Sequence, residues 1–222
     1  GAMDVRGGGP ATRDVEVLCT PWDPPSVRAL AGYGIPALKV ASADMTNHGL
    51  LRDMFATHLP LLVSTGMSTE AEIIEAASLL RSSGSPWAML HCQSTYPAPF
   101  KDINLRYLTR LAEITGRPVG YSGHERGFHI PVAAVAMGAR IIEKHFTTDR
   151  GLEGNDHKVS LLPAEFGQMV SKIRELEEAL GSGGPRAVST GESMNRVNLA
   201  KSLVATRRIE MATARRWISR LV

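Results

Sequence analysis

The sequence predicts an α/β chain folded as a (β/α) TIM-type barrel, truncated to about six β/α units. Three observations carry this. From Val15 onward, short β-branched or apolar runs alternate with Gly/Pro or polar loops and then with amphipathic stretches at helical spacing, the pattern of a parallel sheet. The span from Val15 to Gly183 gives roughly 28 residues per unit over six units, close to the ~30 of a β/α repeat and too short for the ~250 of eight units. The polar, reactive residues fall at strand C-terminal ends: Thr20, Lys39 with Ser42, Ser64, His91 with Ser94 and Tyr96, Ser122 with His124, and Lys144 with His145. In a barrel those ends converge on one mouth, whereas an open doubly wound sheet uses mainly the ends beside its switch point.

In chain order, strands are expected at 15–19, 37–42, 60–64, 87–92, 118–121 and 140–145, each a short apolar run bounded by turn formers. Helices are expected at 68–81, with Ser68 as cap and Glu70 and Glu72 in the first turn, at 105–115, and at 163–180, stopped by Gly181. Gly34, Gly84, Gly116 and Gly138 each stand where a helix hands over to the next strand, as left-handed C-caps do. Residues 1–14 read as a leader, with Gly1 and Ala2 before Met3 as a cloning remnant and Gly7-Gly8-Gly9-Pro10 as loose chain. Residues 15–183 form the incomplete barrel. From 184 to 222 the composition shifts to a Gly/Ser/Pro linker and a basic tail, Arg207 to Arg220.

With 222 residues, 43% hydrophobic and 21% charged, the chain can bury a sizeable core and is not disordered, collagen-like or coiled-coil on composition. The net charge of +3, the lack of a long basic run and the sparse aromatics argue against nucleic acid as a partner. The longest apolar stretch, Ile130 to Ala139, is far shorter than the ~20 residues of a membrane span, so no membrane partner is expected. Cys19 and Cys92 form neither a metal-type pair nor a disulfide framework, which points to a reducing cytoplasm.

Several strings coincide with one family. Leu38-Lys39-Val40-Ala41-Ser42, Ser64-Thr65-Gly66-Met67-Ser68, His91-Cys92-Gln93-Ser94-Thr95-Tyr96-Pro97, Tyr121-Ser122-Gly123-His124 and Glu143-Lys144-His145-Phe146-Thr147 with Asp156-His157 resemble the sialic acid synthase family. That resemblance implies a barrel followed by a small antifreeze-like domain, with Val15 entering at the third strand. The family's first two β/α units and most of its antifreeze-like domain are not represented, and Glu192 to Ala205 is similar to its linker and the opening of that domain. It also implies condensation of phosphoenolpyruvate with an aldehyde sugar such as N-acetylmannosamine, giving a 3-deoxy-2-keto sugar acid and phosphate. A homo-oligomer is expected, since the family is dimeric and an open barrel leaves strand edges uncovered.

Two imidazoles from adjacent strand ends can face each other and hold a divalent ion, with water, substrate oxygens or a carboxylate completing the set. His124 and His145 match the family's manganese ligands, and magnesium or cobalt can substitute. Lys39, Thr20, Ser42, Ser64, Ser94 and Ser122 match its phosphoenolpyruvate contacts. A lysine and hydroxyls converging at strand ends suit phosphate and carboxylate, although singly each serine reads as a loop cap. Tyr96 and Asp156 match positions that contact the acceptor sugar. Two other readings of these residues stay open: a degenerate paralogue with a non-catalytic binding or structural role, and an aldolase in which Lys144 forms a Schiff base.

Overall fold

Five apolar runs between Gly- and Pro-bearing loops form the sheet: β1 Leu38–Val40, β2 Leu61–Ser64, β3 Trp87–Cys92, β4 Val119–Gly123 and β5 Ile141–Lys144. Each pairs in parallel with the next, in the order of the chain. The computed structural model describes residues 15–201 together with 208, 210 and 211. The expected leader, 1–14, and most of the basic tail lie outside the described residues.

The strand expected at 15–19 is not formed, so the described residues form five strands, and six β/α units are not confirmed. It survives as a single parallel bridge between Cys19 and Leu38. Val15, Val17 and Leu18 are exposed there, so this run lacks the buried faces that hold β3 and β4 in place. The sheet still curls. Leu18, Cys19 and Thr20 share a cavity of about 490 Å³ with Ile141, Ile142 and Glu143, so the two ends of the sheet face a common space. The arrangement is a half-barrel.

Helices α1 Pro24–Gly32, α2 His48–Phe55, α3 Glu70–Ser82, α4 Tyr107–Thr115, α5 His129–Ala136 and α6 Pro163–Leu180 alternate with the strands. The core lies between sheet and helices. Leu38, Val63 and Met89 from the strands pack into one cluster with Leu51, Leu80 and Leu111 from the helices. Each such buried side chain contributes roughly 1.5–3 kcal/mol.

Local chemistry sets the helix ends. Asp23 caps α1 by accepting the Ser26 N–H at 2.7 Å. The cap of α3 is Thr69 and not Ser68, because Thr69 and Glu72 satisfy each other's backbone N–H groups. Gly116 ends α4 at φ 61°, and Gly34, Gly84 and Gly138 also carry positive φ.

The chain divides into two compact units, the first ending at Gly181 and the second beginning at Ser182. In the second, Ser189 and Glu192 cap α7, Thr190–Leu199, in the same reciprocal way. No described helix is long and apolar enough to cross a membrane.

Candidate active site

Parallel register brings the functional side chains together row by row. Cys92, Ser122 and Glu143 are successive partners across β3, β4 and β5. Partners in register point to the same side, and all three line one cavity of about 380 Å³. The same cavity is lined by every site residue expected from the sequence: Thr20, Lys39, Ser42, Ser64, Ser94, Tyr96, Ser122, His124, His145 and Asp156. They come from strands and the loops that follow them, up to more than a hundred residues apart in the chain.

One wall is cationic and rich in hydroxyls. Lys39 Nζ donates to Ser64 Oγ at 2.8 Å and to the Val40 carbonyl at 2.8 Å, and stands 3.6 Å from Glu143 Oε2. Burial pushes its pKa down, and Glu143 offsets part of that. Ser42 Oγ accepts the Gly66 N–H at 3.0 Å. A side chain at Gly66 would put its Cβ 2.0 Å from Ser94 Oγ and 2.8 Å from Ser42 Oγ, so glycine is what lets these two hydroxyls close on the backbone.

A second part of the lining is imidazole, phenol and carboxylate. The His124 and His145 ring centres are 5.1 Å apart, and Tyr96 lies 4.1 Å from His124 and 5.6 Å from His145. His124 Nδ1 is 2.8 Å from the Gln93 carbonyl, which accepts only, so Nδ1 carries the proton and Nε2 is left to act as a ligand or base. Burial lowers the His124 pKa, but the Cys92 sulfur at 3.7 Å and the Gln93 carbonyl outweigh it, and the net shift is upward. Burial and the charge of His124 hold His145 below its ordinary value. Asp156 Oδ2 lies 4.0 Å from His145 Nδ1, beyond hydrogen-bond range. Tyr96 is pushed up by burial and by Cys92, Asp156 and Glu143, so it remains a phenol donor.

His124 and His145 could supply two imidazole nitrogens to a divalent ion. Among the described residues no group of three His, Cys, Asp or Glu side chains converges as a preformed centre. The two histidines would therefore supply only part of a set that water or substrate oxygens complete.

Lys144 is not in the cavity. Its ammonium donates to Glu125 Oε1 at 3.0 Å and to the Glu125 carbonyl, with both side chains 0% exposed. Tyr121 donates to the other carboxylate oxygen at 2.6 Å. An amine held this way cannot reach a carbonyl substrate, so the Schiff-base reading loses its nucleophile.

Six cavity residues were not singled out from the sequence as site residues: Trp22, Ala41, Ala43, Met67, Cys92 and Glu143. The signal for Cys92 and Glu143 was available once Ser122 was placed, because both are its neighbours in register. The Cys92 thiol sits 3.6 Å from Ser42 Oγ and 3.7 Å from both Ser94 Oγ and His124 Nδ1. Burial raises its pKa, but contacts with His124, Ser42 and Ser94 outweigh that and leave it below the ordinary value.

Residues 10–184 match the NeuB family. The chain is similar to the N,N'-diacetyllegionaminic acid synthase of Campylobacter jejuni, at 40% identity over 200 residues covering 89% of this chain and 60% of that protein. It is similar to the N-acetylneuraminate-9-phosphate synthase of Homo sapiens, at 34% over 192 residues covering 86% and 53%. Among solved structures it is similar to the N-acetylneuraminic acid (sialic acid) synthetase from Leptospira borgpetersenii serovar Hardjo-bovis in complex with citrate, with TM-score 0.74, 37% identity and coverage of 82% and 65%. The chain thus spans little more than half the length of these curated relatives. A family model matched over most of its length, on a half-barrel that gathers the expected side chains at one mouth, shows that the chain belongs to the NeuB family.

Proposed function

We propose that the chain condenses phosphoenolpyruvate with an aldehyde sugar, forming a 3-deoxy-2-keto sugar acid of the sialic acid type and releasing phosphate. The observation that carries this is one cavity with two chemically distinct walls. On the first, the Lys39 ammonium and the hydroxyls of Thr20, Ser42, Ser64, Ser94 and Ser122 bind the phosphate and carboxylate of phosphoenolpyruvate. On the second, Tyr96 and Asp156 hydrogen-bond the acceptor and hold its aldehyde carbon against C3 of phosphoenolpyruvate. The new C–C bond forms between those carbons, water adds at C2, and the C2–O bond to phosphate breaks.

His124 and His145 would hold the divalent ion, manganese by family likeness, which when bound draws electron density from the aldehyde oxygen. The same reading places the chain in the cytoplasm, where phosphoenolpyruvate is made and Cys19 and Cys92 stay reduced, and has it work as a homo-oligomer. Light scattering tests the last point, with a mass above 24 kDa expected and a monomer at all concentrations contradicting it.

Mass spectrometry of the reaction mixture tests the chemistry. A product containing all the acceptor's carbons and three from phosphoenolpyruvate is expected from wild type and not from Lys39→Met. Phosphoenolpyruvate binding without any product would favour the non-catalytic paralogue instead.

A further inference from the structure

The loops after β2 and β3 line the catalytic cavity and also a second one, of about 550 Å³. Met67, Cys92 and Ser94 belong to both linings, so the two cavities share a wall. The start of α3, with Thr69 and Glu70, and the segment before α4, with Asp102 and Asn104, complete the second cavity. Its size is that of a small-molecule site.

The chemistry of this cavity differs from that of the catalytic one. Among the described residues no lysine or arginine lines it, so nothing in its lining neutralises an anion. Nor does any described group of three His, Cys, Asp or Glu side chains converge to hold a metal ion. Glu70 is paired with Arg110 at 2.9 Å and accepts the Tyr107 hydroxyl at 3.2 Å. Asp102, by contrast, is exposed and enters no ion pair among the described residues. His91, only 8% exposed, also lines the cavity, and its Nε2 donates to the Ile103 carbonyl at 2.7 Å. Burial holds the His91 pKa below its ordinary value, so the ring is neutral and Nδ1 is an acceptor. No described residue donates to Nδ1. A buried acceptor without a donor is unfavourable, and a ligand hydroxyl that donates to it removes that cost. Free acceptors on His91 and Asp102, with the amides of Gln93 and Asn104 that both donate and accept, suit a neutral polyhydroxyl ligand.

We propose that this cavity is a second, non-catalytic sugar site, and that its occupant is the neutral acceptor sugar. Naming that sugar rests on the condensing reading above. Because the wall is shared, a sugar held here lies next to the cavity in which it reacts.

Heteronuclear NMR titration with N-acetylmannosamine, without phosphoenolpyruvate, tests this on wild type, on Asp102→Ala/Asn104→Gly and on Asp156→Ala. Both side chains removed in the double variant are exposed, and glycine keeps the φ of 46° that Asn104 holds, so the fold is kept. In wild type the amides of Thr69 and Tyr107, at the second cavity, and those of Thr20 and His145, at the first, are expected to shift with separate midpoints. In the double variant the midpoint at Thr69 and Tyr107 should rise at least tenfold while that at Thr20 and His145 is unchanged, and Asp156→Ala should do the reverse. Sugar that leaves Thr69 and Tyr107 unmoved, or moves them only at the first cavity's midpoint and not at all in Asp156→Ala, overturns the proposal. Putrescine tests a cationic occupant of the same acceptors: shifts from it and not from the sugar, lost in the double variant, overturn the sugar assignment. Separate binding at the second cavity in a protein that gives no condensation product upholds the site and removes the reading that named its sugar.

Discussion

The Lys144 ammonium lies 3.0 Å from Glu125 Oε1 with neither side chain exposed to solvent, and this pair ties the end of β5 to the segment after β4. Its neighbours in sequence are His145 and His124, so the pair fixes the spacing of the two imidazoles. Gly123 is shaped to it, since a Cβ there would fall 2.8 Å from the Glu125 carboxylate. Removing one partner leaves a buried charge uncompensated, at a cost of about 3–5 kcal/mol. Lys144→Met should therefore lower the denaturant midpoint strongly, and Glu125→Gln/Lys144→Met should recover part of that loss. Additive losses would contradict the pairing.

Gly66→Ala tests the hydroxyl wall. The new methyl lands on Ser94 Oγ, which can rotate away at little cost to the fold. Phosphoenolpyruvate affinity should fall about tenfold, the ~1.4 kcal/mol expected for a lost charge-assisted hydrogen bond, while the melting temperature changes little. Calorimetry and thermal melts read the two effects separately.

Lys39 gives a pH dependence of known sign. Its pKa lies below the ordinary 10.5 because burial disfavours the ammonium. Anion binding that needs the charged form should weaken as pH rises through that depressed value, earlier than for a solvated lysine. The unfolded chain holds the proton more tightly, so the stability term from this residue rises with pH over the same window. Lys39→Arg stays charged throughout and should abolish the alkaline limb of a binding–pH profile.

For the ion, titration of manganese into wild type, His124→Ala and His145→Ala should show binding in the first and at least tenfold weaker binding in each variant. Equal affinity in all three would remove the histidines from that role.

Much of this was legible in the sequence because parallel strands deliver their C-terminal ends to one mouth, so polar residues at those ends could be grouped before any coordinates. Lys39, Ser64, Ser122 and His145 were found in that way. The run from Val15 misled, since strand-like composition does not hold a strand without neighbours covering both faces. Ser68 misled because Thr69 is an equally good cap and has Glu72 at the right spacing for the reciprocal bond. Lys144 sits at a strand end like its neighbours, and only three-dimensional pairing with Glu125 shows that it is structural. Cys92 reads in sequence as one more buried strand residue, and its place beside His124 follows only from the register of β3 with β4.

The central claim is tested most directly by phosphate release, measured with phosphoenolpyruvate, manganese and a panel of aldoses and aldose phosphates, each reactant omitted in turn. The account predicts release only when phosphoenolpyruvate and an acceptor are present together, and loss of that release in Lys39→Met and His145→Ala. Release from phosphoenolpyruvate alone, or a borohydride-trapped adduct on Lys144, would contradict it.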